Sequence, residues 1–82
     1  MKLVATPGVL EKVGLADCVA AFERHQKGDW GELCPEDKEA NDFALKHGGR
    51  LISAYTSREG VKFWIITEHD RSVTTFLLPE EY

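Results

Sequence analysis

The run Glu68-His69-Asp70-Arg71 places two carboxylates, an imidazole and a guanidinium in one short stretch near the C-terminus. Joined by Arg50 and Tyr55, it has the parts of a small ribonuclease: a proton-transfer group in His69 and cations to neutralise a phosphate. Polar hairpin turns ordinarily carry the same residue types, and only residue type links these four. The remaining histidines, His25 and His47, and the two cysteines, Cys18 and Cys34, form none of the close pairs that zinc requires. His25 sits on the apolar stripe of a predicted helix and reads as a satisfied, partly buried histidine. Cys34 stands at a predicted helix start, where a thiolate is favoured, but nearby carboxylates oppose it. No catalytic residue, metal ligand or cofactor is therefore assigned.

Charge is distributed less evenly than these candidates. Residues 28–42, GDWGELCPEDKEAND, carry Asp29, Glu32, Glu36, Asp37, Glu39 and Asp42 against Lys38 alone, a net −5, whereas the other residues sum to +1. The whole formal charge of −4 thus comes from one segment. Part of this is local: Glu36, Asp37 and Glu39 fall in a first helical turn, where the dipole favours them, and Asp42 can pair with Lys38 and Lys46 at i±4. Asp29 and Glu32 lie outside that helix and extend the acidic surface into the preceding loop. Such a patch repels nucleic acid and attracts basic surfaces, by mimicking phosphate spacing or by docking a Lys/Arg-rich partner. Trp30, between two glycines in the same segment, reads as a loop anchor packed on the core; the other reading is an interface anchor.

The elements that position these residues follow from capping and period. Leu3 to Ala5 reads as a short strand, and Thr6-Pro7 is an N-cap and first-position pair for a brief helix ending at Gly14. A second helix runs from Leu15 to Lys27, with Leu15, Cys18, Val19 and Phe22 as the inward stripe and Gly28 beyond its end. Cys34 and Pro35 open a third, to about His47, with Ala40, Phe43 and Ala44 inward and Gly48-Gly49 terminating it. From Arg50 the period becomes two, giving strands Leu51–Thr56, Val61–Thr67 and Val73–Leu78 joined by the turns SREG and EHDRS. Connections this short favour an antiparallel meander.

The predicted fold class is α+β: a short N-terminal strand, three helices, then a three-stranded antiparallel meander with the helices packed on one face. Alternation assigns Ile52, Ala54, Val61, Phe63, Ile65, Val73 and Leu77 to the helix-covered face. It leaves Tyr55, Trp64, Ile66 and Phe76 as an aromatic face open to a partner, or covered by the N-terminal strand, a loop or the tail. At 82 residues the chain is one domain, 1–82, burying roughly 60 to 65% of its unfolded surface. It has no apolar run of the roughly 20 residues that a membrane span needs, and no signal-peptide pattern, which points to the cytoplasm. Two cysteines in that setting read as free thiols.

The segments GDWGELCPEDKEAND, ALKHGGRLISAYT and WIITEHDRSVTTFLLPEEY together resemble a family of small uncharacterised proteins of bacterial plasmids, phages and integrative elements. The resemblance spans nearly the whole chain and is most specific in its tail. It implies no established activity, only a setting in mobile DNA, where small acidic proteins block nucleases or CRISPR complexes by occupying basic DNA channels. The sequence-based expectation is therefore a non-enzymatic anti-defence inhibitor, anti-CRISPR or anti-restriction. Its partner surface would be Asp29, Glu32, Glu36, Asp37, Glu39, Asp42, Tyr55 and Trp64, meeting a basic protein surface without binding nucleic acid or membrane. The alternatives are the ribonuclease or toxin reading, a plasmid-maintenance interaction module, and a homodimer joined through Tyr55, Trp64 and Phe76.

Overall fold

Residues 1–82 are described by a computed structural model whose element boundaries fall where local chemistry places them. They are strand β1 (Lys2–Ala5), helices α1 (Pro7–Lys12), α2 (Leu15–Gln26) and α3 (Pro35–His47), strands β2 (Leu51–Thr56), β3 (Lys62–Thr67) and β4 (Val73–Leu77), and a 3-10 turn, Pro79–Glu81. Thr6 caps α1 by accepting from the Val9 amide, with Pro7 in the first turn. The Thr6 hydroxyl in turn donates to Glu81, whose carboxylate also takes the Leu78 amide, so the tail is clasped to the start of α1. Gly14 and Gly48 adopt positive φ at the helix boundaries, as their positions in the sequence require.

The fold is α+β, and its sheet has four strands in the order β1-β4-β3-β2. Strands β2, β3 and β4 form the antiparallel meander; β1 lies parallel to β4 at the far edge. Helices α1 and α2 supply Val9, Cys18 and Ala21 to a core completed by Tyr55, Phe63, Ile65, Phe76 and Leu78 of the sheet side.

Register corrects the expected faces. Tyr55 pairs with Phe63, Ser53 with Ile65 and Ile65 with Phe76, so these residues share the helix side. Ile52, Ala54, Val73 and Leu77, expected to face the helices, lie with Trp64 and Ile66 on the other side. Tyr55 and Phe76, expected on that other side, are buried under the helices. On β3 the expected faces hold, with Phe63 and Ile65 under the helices; on β2 and β4 the reason for the reversal is polar residues at core positions, Ser53 and Thr74, both 0% exposed, which make the opposite side of those two strands look apolar. The second helix is corrected in the same way. Its inward residues are Cys18, Ala21 and His25, whereas Leu15 is 69% exposed and Val19 half-exposed, because the sheet ends beneath them at β1.

His25 explains why hydroxyls stand in the core. Its Nδ1 lies 2.6 Å from Ser53 Oγ and its Nε2 2.9 Å from Thr67 Oγ1, which is 2.8 Å from Thr74 Oγ1. One helix side chain is thereby joined to β2, β3 and β4, and no buried side-chain polar atom lacks a partner. Burial, reinforced by the Arg71 charge, lowers the His25 pKa to about 4.

His25 is neutral in the fold and titrates near 6.5 when unfolded, so its contribution is complete above pH 6.5 and is lost as pH falls toward 4. That gap is worth about 3 kcal/mol. Asp29, Asp70 and Glu81 have pKa values held below their ordinary 3.8 to 4.5, so their losses come at lower pH. Urea unfolding from pH 7 to 4.5 should show a steep decline in the native chain. His25→Gln should be less stable at pH 7 but nearly flat across that window, and a parallel decline in both would show that another group titrates.

Candidate functional site

The six carboxylates of segment 28–42 divide into two sets. Asp29 makes a two-pronged pair with Arg24, Nε to Oδ2 at 2.7 Å and Nη2 to Oδ1 at 3.2 Å, and also accepts from the Gly31 amide. The hydrogen bond from Arg24 is the main cause of the Asp29 carboxyl's lowered pKa. Glu32 accepts from the Thr56 hydroxyl at 2.7 Å, and Asp42 accepts from the Trp30 indole at 2.9 Å. Asp42 thus serves the loop tryptophan and forms no ion pair with Lys38 or Lys46. Glu36, Asp37 and Glu39 are exposed and make no hydrogen bond or ion pair within the chain.

Trp30 holds the whole segment. Its ring is buried with Ala44 and Leu51, edge-on to His25 at 5.5 Å, which is the loop-anchor arrangement. Gly31 makes the approach feasible: it pairs with Ala54 in an isolated parallel bridge at φ 73°, and a Cβ there would collide with the Ala54 carbonyl oxygen. The Glu32 amide donates to that carbonyl and the Ala54 amide donates to Trp30 O. Asn41 adds a reciprocal pair, its amide group donating to Ile52 O and its Oδ1 accepting from the Ile52 amide at 3.1 Å. These bonds occupy the outer edge of β2 and fix α3 against it.

At 100° per residue, the contact through Asn41 and Ala44 turns Glu39 and Phe43 outward with Glu36 and His47 beside them, whereas Asp37 and Ala40 stand exposed at the border of the docked face, where they line a cleft with Asn41 and Ile52. Ala40 and Phe43, expected inward, are exposed; Phe43 is 65% exposed with its ring 4.4 Å from that of His47. An apolar-stripe reading misses this, because the helix docks through a polar residue, Asn41, that contacts strand backbone rather than core. The outward face therefore combines the unpaired carboxylates of Glu36 and Glu39 with an exposed aromatic ring one to two turns on, and Asp37 adds its charge at the border of that face.

The aromatic sheet face differs from expectation. Tyr55, assigned to a partner surface, is 2% exposed, donates its hydroxyl to Asp29 O at 2.6 Å and carries the Arg24 guanidinium over its ring. It offers nothing to a partner, and neither does buried Phe76. Trp64 remains half-buried on the outer side, edge-on to Tyr82 at 5.6 Å, while Arg50 donates to the Tyr82 hydroxyl and pairs with Glu68 at 3.3 Å. The tail covers part of this face, so Ile66 and Leu77 are buried while Trp64 keeps some exposure.

Of the ribonuclease set, Arg50 is brought to the turn through Glu68, Arg71 is occupied by backbone, and Tyr55 is not brought there. Arg71, at φ 63°, directs its guanidinium to the carbonyls of Gly49, Ala44, Glu68 and His69, docking the turn on the C-terminus of α3. Asp70 accepts from the amide and hydroxyl of Ser72. Tyr55 lies on the helix side, four residues or roughly 13 Å along β2 from Leu51, whose partner Thr67 leads into this turn. Cys18 is buried and Cys34 exposed, both free thiols, and no group of His, Cys, Asp and Glu is arranged to hold a metal. No helix is long and apolar enough to cross a membrane.

No protein-family model, curated protein or solved structure matches the chain.

The division among the carboxylates makes separable predictions in urea unfolding. Asp42→Ala should cost about 1 to 2 kcal/mol by stranding the partly buried indole N–H, and Trp30→Ala about 3 to 5 kcal/mol. Glu36→Gln, Asp37→Asn and Glu39→Gln combined should stay within about 1 kcal/mol of the native chain, the scale of a dipole contribution. Gly31→Ala should be the most disruptive single-methyl change, because both φ and the Ala54 carbonyl oppose it. Equal losses for the triple variant and Asp42→Ala would erase the distinction.

Proposed function

We propose that this protein is a non-enzymatic binding module whose outward α3 face docks on a basic surface of a nucleic-acid-handling complex. The observation that carries the reading is that Glu36, Asp37 and Glu39 have no partner in the chain while their helix is held rigidly by Asn41 and Trp30. Carboxylates fixed on a helix and free of internal pairs present their charge outward, where it steers association with cations. Phe43 supplies an apolar centre beside them, and aromatic residues are enriched among residues that dominate interface energetics. A cleft lined by Leu33, Ala40, Ile52, Asp37 and Arg50 adjoins the same turn and suits the aliphatic stem of a basic side chain.

The resemblance to proteins of plasmids, phages and integrative elements supplies the biological setting. The proposed partner is a CRISPR effector or restriction complex in the cytoplasm, and the proposed action is competition with DNA for its basic channel. Asp29, Glu32 and Asp42 contribute to the field of this surface but are committed to Arg24, Thr56 and Trp30, so the uncommitted three carry the contact. Trp64 lies on the outer sheet face with Ile52, beyond Arg50 and Tyr82, and is not among the residues that line the cleft beside α3.

The test is target-DNA binding by a panel of CRISPR and restriction complexes with increasing amounts of the protein. DNA binding should fall, and the triple Glu36→Gln, Asp37→Asn, Glu39→Gln variant should need about tenfold more protein for the same effect. Raising salt from about 50 to about 300 mM should slow association of the native chain in the same direction, since exposed charges are then strongly screened. Unimpaired DNA binding across the panel, or equal potency of the triple variant, would overturn the proposal.

A further inference from the structure

The two edges of the sheet are treated differently. On β2 the backbone groups of Ile52 and Ala54 are occupied by Asn41 and the Trp30–Glu32 loop. On β1 the amides of Lys2 and Thr6 donate to Ser72 and Phe76 of the β4 side, so by the period of two the amides and carbonyls of Leu3 and Ala5 point away from the sheet. Nothing in the chain covers them. Leu3 is 53% exposed, and beside it the strand, α1 and α2 line an apolar groove to which Leu10, Leu15 and Val19 add exposed aliphatic surface. Proteins ordinarily blunt such an edge with charge, proline or a covering segment, as this one does at β2.

We propose that the β1 edge pairs with β1 of a second copy, antiparallel about a two-fold axis at Val4, making one eight-stranded sheet. In this register Leu3 and Ala5 of one copy exchange backbone hydrogen bonds with Ala5 and Leu3 of the partner subunit, using every outward group of the strand. Charge fits as well. Lys2 comes opposite Thr6 of the partner subunit, whose hydroxyl holds the Glu81 carboxylate, so each end of the pairing sets a lysine against an acid. No lysine faces a lysine. The apolar groove then receives the aliphatic side chains beside the partner's strand. A four-residue pairing strip keeps the interface toward the small end, below about 1,200 Å², which corresponds to a reversible dimer rather than an obligate one. The pairing is independent of α3, so its failure leaves the acidic-face proposal untouched.

Sedimentation velocity from about 1 µM to about 1 mM should show a monomer passing to a dimer, a span chosen for micromolar affinity. Amide exchange at Leu3 and Ala5 should slow as the dimer forms. Ala5→Pro removes an outward N–H and spares the bonds to β4, so it should yield a folded monomer, with circular dichroism reporting the fold. Lys2→Glu and Leu15→Lys change exposed side chains and should each raise the dissociation constant about tenfold or more, which keeps the test decisive if the proline variant does not fold. A monomer at every concentration overturns the proposal, as does a dimer in which Leu3 and Ala5 stay unprotected or in which Lys2→Glu and Leu15→Lys have no effect. Protection of those amides only on adding an extended foreign peptide would assign the edge to another protein's strand and equally overturn it.

Discussion

His25 is the side chain to which the sheet, the second helix and the loop tryptophan are all keyed. A neutral imidazole has one donor and one acceptor, and hydroxyls can meet either, so Ser53 and Thr67 satisfy it whichever tautomer is present. Thr67 passes the connection to Thr74, and Trp30 closes over the ring from the side. Each such bond is worth only about 1 kcal/mol net, but a stranded buried polar atom costs roughly 1 to 3 kcal/mol. The network therefore acts mainly by exclusion: a sheet turned over, or a strand slipped by one residue, would leave the imidazole and three hydroxyls without partners. That asymmetry selects the side on which Tyr55, Phe63 and Phe76 are buried.

With that side chosen, the position of the acidic segment follows. Trp30 reaches the core only because Gly31 lets the loop backbone run against Ala54, and the indole N–H then requires Asp42. Asn41, one residue earlier, reads the Ile52 backbone as another strand would. Adjacent residues of one helix thus hold the loop and the sheet edge. Half of the segment's carboxylates are drawn into local structure by this arrangement, and the other half, in the first two turns of α3, is left facing solvent.

The sequence makes the elements legible and the faces much less so. Thr6-Pro7, Gly14, Gly28, Cys34-Pro35 and Gly48-Gly49 act through their own backbone preferences, which are local and readable one at a time. Which side of a strand is buried depends on partners far along the chain. Ser53 and Thr74 look like solvent-facing residues until His25, on another element, is placed against them. The same holds for α3, where an asparagine faces the sheet and a phenylalanine faces water. The parallel pairing of β1 with β4 spans nearly the whole chain, and no local pattern announces it. Arg71 reads as a candidate cation for phosphate because its type is visible and its four carbonyl partners are not.

These features separate what stabilises the chain from what it can offer to others. The buried contacts are made by His25, Trp30, Asn41 and Tyr55, residues whose chemistry would have drawn them into a functional site on type alone. Each is instead consumed by an internal partner. Among the groups left to the outside are three carboxylates and a phenylalanine on α3 and the backbone of Leu3 and Ala5 at the opposite edge of the sheet. The first set is charged and acts at long range, which suits encounter with an oppositely charged surface. The second is neutral, short-ranged and geometrically exacting, which suits a partner of identical shape. Because the two lie on different elements at different ends of the strand order, engagement of one does not require disturbing the other.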